Sequence, residues 1–227
     1  MGIHDGHRQK MRKRFLLSSL DSFAPHEALE LLLYYAIPRC DTNPAAHALM
    51  ARYGTLEEVF NAPVEDLIKV EGIGESAAIL LKLVPQLVRK ARLERVRLGD
   101  TILNDSGAAG SFLLELFEGE RAETVYQLCL DAKRRLLAYR RLSDGGVSMV
   151  DLDVRKVVSH ALLTSASQVI LAHNHPSGLA VPSEADNAAT EQALYALRTV
   201  GVELVDHIII ADRDFVSLRD SGFFSRL

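Results

Sequence analysis

The stretch Gln168-Val169-Ile170-Leu171-Ala172-His173-Asn174-His175-Pro176-Ser177-Gly178, followed three residues later by Pro182-Ser183-Glu184-Ala185-Asp186, decides how the chain is read. Gln168 to Ala172 is a short apolar run, the pattern of a strand buried on both faces. Histidines at i and i+2 on leaving such a strand point to one side, because side chains alternate across the pleat, so both imidazoles can reach a single ion. Pro176 and Gly178 turn the chain, Pro182 and Ser183 open a helix, and Asp186 falls in its first turn, where the carboxylate can swing back to the pair. Two imidazoles and one carboxylate suit zinc, and three protein ligands instead of four leave a position for water, the arrangement of catalytic zinc. Hydrolysis is then the leading reaction class. Ser183-x-x-Asp186 also fits a capping box, which accounts for those two residues as helix architecture but leaves the paired histidines unexplained.

Around this segment the pattern is α/β. Val125 to Leu130 and Leu136 to Tyr139 read as two strands of a hairpin joined by a tight turn from Asp131 to Arg135. Asp153 to Leu163 and Ser183 to about Val200 read as helices, and Val202 to Ala211 and Phe215 to Leu218 as strands separated by Asp212-Arg213-Asp214. A mixed sheet with helices is expected for residues 106–227.

Residues 1–98 read differently, as short helices of about 8–14 residues each. Apolar residues recur at three- and four-residue spacing in Phe15-Leu16-Leu20, Ala28-Leu31-Leu32-Tyr35 and Ala46-Leu49-Met50-Tyr53. Pro25, Pro44 and Pro63 each sit where a helix can begin, since the first turn does not need proline's missing N–H. A charged run from Arg89 to Arg97, then Gly99-Asp100 and Asn104-Asp105-Ser106-Gly107, mark a boundary near 98–107. Val70-Glu71-Gly72-Ile73-Gly74-Glu75-Ser76-Ala77-Ala78 fits a helix-hairpin-helix pattern. Gly72 and Gly74 permit tight geometry, and amides ahead of the next helix can grip a phosphate without reading bases. The same turn between packed helices can equally be architectural, and Glu71 and Glu75 would repel phosphate. Arg8 to Arg14 and Arg89 to Arg97 are the stronger electrostatic candidates for DNA.

Composition limits the remaining possibilities. At 227 residues, 48% hydrophobic and 25% charged, the chain has room for a core without disulfides. No apolar run approaches the roughly 20 residues of a membrane span, and the N-terminus lacks an apolar signal region, so a soluble cytoplasmic protein is expected. Cys40 and Cys129 have no C-x-x-C spacing and read as reduced thiols, Cys40 as a packed one with no base near it. His4 and His7 have metal-like spacing but read as unliganded. The net charge of −4 leaves any nucleic-acid affinity to local basic patches.

The motif His173-x-His175, seven residues, Ser183-x-x-Asp186 resembles the JAMM signature of MPN-type metalloproteases. The wording His173-Asn174-His175-Pro176-Ser177-Gly178 resembles the RadC family in particular. Gly6-His7-Arg8, Glu30-Leu31-Leu32-Leu33, Ile37-Pro38-Arg39, Gly72-Ile73-Gly74-Glu75 and Asp206-His207-Ile208-Ile209 are also similar to RadC sequence, so the resemblance spans nearly the whole chain. It implies an N-terminal helix-hairpin-helix domain and a JAMM-like zinc domain that hydrolyses peptide or isopeptide bonds. Zinc would be held by His173, His175 and Asp186, with Ser183 donating a hydrogen bond to a tetrahedral intermediate. Counting back eight residues from the strand-ending Asp131 gives Glu123 as the general base, with Glu120 and Glu118 as competitors. Where RadC sequences often read Arg-Glu, this chain has Arg155-Lys156, which removes any acidic role there. Asp206 or His207 could orient a ligand from behind, or could make only a buried structural hydrogen bond. The competing functional reading is a DNA-binding or repair accessory whose metal domain is structural. A peptide or protein substrate and possible DNA contact through Gly72 and Gly74 are the partners expected; oligomeric state stays open.

Overall fold

A computed structural model describes residues 5–142, 152–176 and 178–226; His4 and Ser177 lie outside them. The chain divides into two compact units, Met1–Val88 and Arg89–Leu227.

The first unit is helical, with α1 (Asp5–Ser18), α2 (Pro25–Leu33), α3 (Asn43–Tyr53), α4 (Leu56–Asn61), α5 (Val64–Leu67) and α6 (Glu75–Leu93), the last running through the division. Proline occupies the first turn of α2 and α3, and Pro63 precedes α5 directly. Leu29, Leu33, Leu49, Val59, Leu67 and Leu81 form its core. Gly72 has φ +82°, and a Cβ there would lie 3.0 Å from Ala45 Cβ, so the turn into α6 requires glycine for backbone and space alike. At 19 residues α6 is longer than the short helices expected, because the helix continues through Pro85, forgoing one backbone bond.

Glu30 is buried in this unit and accepts from Tyr34 Oη (2.6 Å) and Asn43 Nδ2 (2.9 Å), while His7 Nε2 lies 2.9 Å from Glu30 Oε1. Arg8 donates to the carbonyls of Ile37 and Cys40. His7 is therefore engaged on α1, and Cys40 is exposed, contrary to the packed thiol expected: its short loop passes over the surface, and only Cys129 is buried.

The second unit adds α7 (Ser106–Phe117), β1 (Val125–Leu130), β2 (Leu136–Arg141), α8 (Val154–Leu163), β3 (Gln168–Asn174), α9 (Glu184–Thr199), β4 (Glu203–Ala211), β5 (Asp214–Ser217) and a 3-10 turn at Phe224–Arg226. Among the described residues five strands form one mixed sheet in the order β2-β1-β3-β4-β5, in which β3 and β4 alone run parallel. Helix α7, capped by Asp105, is not predicted from the sequence. It packs with Leu128, Ile170, Ala172 and Ile208 on one face of the sheet. Val125, Val169, Leu171 and Leu204 face the other way, against α8 and α9.

Two details of this unit position the site. Residues 169, 171 and 173 of β3 share the α8/α9 face by strict alternation. In β4, Val169 pairs with Leu204 but Ile170 pairs with Asp206, so one extra residue, a β-bulge, is inserted at Val205. That insertion shifts the parity of the strand and turns His207, opposite Leu171, towards α9.

Gly110 lies in α7 where a Cβ would fall 2.4–2.6 Å from three ring carbons of Phe215. In an open helix glycine to alanine gains about 1 kcal/mol. Here overpacking reverses the sign, and Gly110→Ala is expected to destabilise by about 1–3 kcal/mol, measured by thermal or urea unfolding; a stabilised variant would contradict this packing.

Candidate metal centre

Strand β3 ends with His173 and Asn174, and the His175 amide still donates to Ile210 O of β4 (2.8 Å), so extended geometry persists one residue past the strand. Both imidazoles therefore leave the sheet on the α9 side. The chain then reverses: Gly178 N donates to His175 O (3.1 Å) and Gly178 takes φ +82°. Helix α9 begins after Ser183, whose hydroxyl accepts from the Asp186 amide (3.1 Å) while the Ser183 amide donates to Asp186 Oδ2 (2.8 Å). The capping box is real, and it turns the Asp186 carboxylate towards the histidines.

His173 Nε2 lies 2.9 Å from His175 Nε2 and 3.3 Å from Asp186 Oδ1; His175 Nε2 lies 3.4 Å from Asp186 Oδ2. One ligand atom from each residue lies within 4.8 Å of the others, and among the described residues this is the one His/Cys/Asp/Glu group able to hold a metal ion. His173 and Asp186 are buried, whereas the His175 side chain is 18% exposed, so the cluster reaches solvent on one side. His175 Nδ1 is 2.9 Å from Leu179 O. A carbonyl only accepts, so Nδ1 carries the proton and Nε2 presents a lone pair. Burial opposes ionisation of Asp186, but the hydrogen bonds it accepts from the Ser183 hydroxyl and amide favour the charged form, and the carboxyl lies well below its ordinary range. Two imidazole nitrogens beside a carboxylate form a donor set that fits a divalent transition metal.

The remaining residues singled out by sequence fall as follows. Glu123 is half-buried in the segment entering β1. Val125 pairs with His173, and Asn174 N donates to Thr124 O (3.3 Å). Continuing that antiparallel register one residue sets Glu123 alongside His175. Its competitors are engaged elsewhere: Glu120 faces Arg89 (3.4 Å) and Arg141 (3.6 Å), and Glu118 binds Arg92 (2.8 Å). The Ser183 hydroxyl donates to Asp186 Oδ2 (2.7 Å). Gly72 and Gly74 belong to the other unit and are exposed. Asp206 accepts from Ser217 Oγ (2.7 Å) and the amides of His207 and Arg219, and burial raises its pKa, a structural role. His207 is fully buried, and its imidazole lies 2.8 Å from His173 Nδ1 and 2.6 Å from Thr190 Oγ1. Complete burial pushes its pKa well down, so the ring is neutral.

Asn174 and Thr190 are residues that sequence reasoning missed. Asn174 points away from the histidines; its Oδ1 accepts from Thr124 N (2.7 Å) and its Nδ2 donates to Ala122 O (3.1 Å) and Glu120 O (3.3 Å). It fastens the segment carrying Glu123 to the end of the metal strand. A polar residue between two histidines was a signal, but its partners lie some fifty residues earlier and no local pattern names them.

The unit is a mixed α/β domain in which a His, His, Asp group that could hold a metal ion sits at the carboxyl end of a parallel strand pair. The sequence signature of the RadC-like JAB domain matches residues 103–223, and the chain belongs to this family. It is also 31% identical over 225 residues to the UPF0758 protein FN0909 of Fusobacterium nucleatum subsp. nucleatum, an alignment covering 96% of this chain and 97% of that protein. No helix among the described residues is long and apolar enough to cross a membrane.

Replacing Asn174 by alanine removes three hydrogen bonds to backbone groups of the 120–124 segment, the one from the buried Thr124 amide among them. We expect a loss of about 1–3 kcal/mol and faster hydrogen exchange at the Thr124 amide, read by NMR; unchanged Thr124 protection would refute the fastening role.

Proposed function

We propose that the protein is a zinc-dependent hydrolase of peptide or isopeptide bonds. The observation that carries this reading is the convergence of His173 Nε2, His175 Nε2 and the Asp186 carboxylate, three protein ligands on a cluster that reaches solvent. Structural zinc sites are closed by four protein ligands, whereas three leave a place for water. Zinc held there supplies a polarised scissile carbonyl and a water acidified towards pKa ~7. The chain's own residues do the rest. Glu123 takes a proton from the attacking water as its oxygen bonds to the carbonyl carbon, then returns that proton to the amine nitrogen as the C–N bond breaks. Its register beside His175 supports this assignment. Ser183 orients Asp186, and in this reading the same hydroxyl turns to donate to the oxyanion that develops during attack.

A second reading, a DNA-associated protein with a helix-hairpin-helix unit, draws on the exposed turn of Gly72 and Gly74 ahead of α6. It ranks behind the first. Glu71 and Glu75 flank that turn, and the candidate phosphate-binding arginines Arg8, Arg14, Arg89 and Arg92 already have internal partners.

The test is hydrolysis of a panel of peptides and isopeptide-linked conjugates by zinc-reconstituted protein. Glu123→Gln is expected to lower kcat by about 10²–10⁴-fold while leaving bound zinc unchanged, and Asp186→Ala to lose both. Full activity in Glu123→Gln would remove it as the base. Salt-sensitive DNA retention by the full chain with no cleavage of any conjugate would favour the second reading.

A further inference from the structure

The cluster is backed by a hydrogen-bonded chain that leads from α9 to the metal strand. Thr190 Oγ1 lies 2.5 Å from Asp186 O, four residues back on the same helix. Two oxygens approach that closely only with a hydrogen between them, and a carbonyl has none to give, so the threonine hydroxyl donates there and spends its single proton. Thr190 Oγ1 is also 2.6 Å from His207 Nδ1, and with its proton used it can only accept; Nδ1 of His207 must therefore be N–H. In a neutral imidazole the other nitrogen is then a bare acceptor. That nitrogen, His207 Nε2, lies 2.8 Å from His173 Nδ1, which must in turn be the donor. The same rule leaves His173 Nε2 without a hydrogen, facing His175 Nε2 at 2.9 Å, itself bare because its Nδ1–H is given to Leu179 O. Two lone pairs and a carboxylate oxygen then point at one another with no proton among them, an arrangement a cation relieves.

We propose that Thr190 and His207 are positioning residues that fix the tautomer of His173, holding its Nε2 lone pair towards the metal position before an ion arrives. Every link is buried: Thr190, His207 and His173 are each 0% exposed, so water cannot exchange with any of the three bonds. The β-bulge at Val205 is what brings His207 to this face. With Thr190 replaced by an isosteric valine, nothing holds the proton on His207 Nδ1. His207 can then donate from Nε2 to His173 Nδ1, which moves the His173 proton to Nε2 and blocks the ligand atom. Hydrogen-bonded partners of this kind alter metal affinity by about 10–100-fold when removed.

This inference rests on the reading of His173 as a metal ligand, and its test separates the two. Long-range ¹H–¹⁵N spectra of the imidazoles are recorded on metal-free full-length protein at about pH 8, above the ordinary histidine pKa of about 6.5. They are expected to show His173 and His207 protonated at Nδ1, with Nε2 bare. In Thr190→Val the His173 proton is expected at Nε2 and zinc affinity, measured by chelator competition, falls about 10–100-fold; Thr190→Ser, which keeps the hydroxyl, restores both. Wild-type protein with the His173 proton on Nε2 overturns the proposal whether or not Thr190→Val folds, as does a folded Thr190→Val variant with wild-type tautomers and affinity. Wild-type tautomers as expected, in a protein that takes up no zinc, would support the relay and sink the metal reading instead.

Discussion

The constraint on which the site depends is the two-residue alternation of β3, pinned between an antiparallel neighbour and a parallel one. Val169 and Leu171 are locked into the core beneath α8 and α9, so His173 has no choice of face, and the amide bond from His175 to Ile210 carries the same parity one residue beyond the strand. A register slip of one residue would send both imidazoles under α7 and leave Asp186 alone on α9. The stability of an apolar sheet thus sets the aim of polar side chains to within hydrogen-bonding distance, and β1, paired to β3 on its other side, delivers Glu123 by the same register.

Helix architecture and metal ligation are not competing explanations for Ser183 and Asp186. The capping box satisfies amides at the start of α9 and simultaneously orients a carboxylate that burial would otherwise penalise. What capping does not explain is why that carboxylate faces two imidazoles, one of them completely buried and backed by a third. A core of this kind could be filled more stably by apolar groups, so its polarity points to a task. The helical unit presents the opposite case. His7, Tyr34 and Asn43 converge on the buried Glu30 carboxylate, and Arg8 donates to the Ile37 carbonyl, so these polar groups are spent on internal architecture.

Much of this was legible because it is local. The strand, the turn and the capped helix that carry His173, His175 and Asp186 follow one another within twenty residues, and apolar runs marked β1 to β5 with ends off by a residue or two. What escaped depends on distant partners. Helix α7 opens at Ser106-Gly107, which in the sequence read as part of a boundary turn; its packing on the sheet depends on Gly110 admitting the Phe215 ring from a strand a hundred residues on. The bulge at Val205 leaves no mark in an apolar strand, so the sequence could not distinguish Asp206 from His207 as the residue behind the site. The structure gives them different tasks: Asp206 ties down the turn after β5, and His207 meets His173.

The account stands or falls on whether His173, His175 and Asp186 share one ion. X-ray absorption at the zinc edge of the purified protein examines this directly. The account predicts one zinc per chain with a first shell of nitrogen and oxygen at about 2.0–2.2 Å, no sulfur, and multiple scattering from two imidazoles. Zinc absent after reconstitution, or bound through a thiolate or a single imidazole, would contradict it.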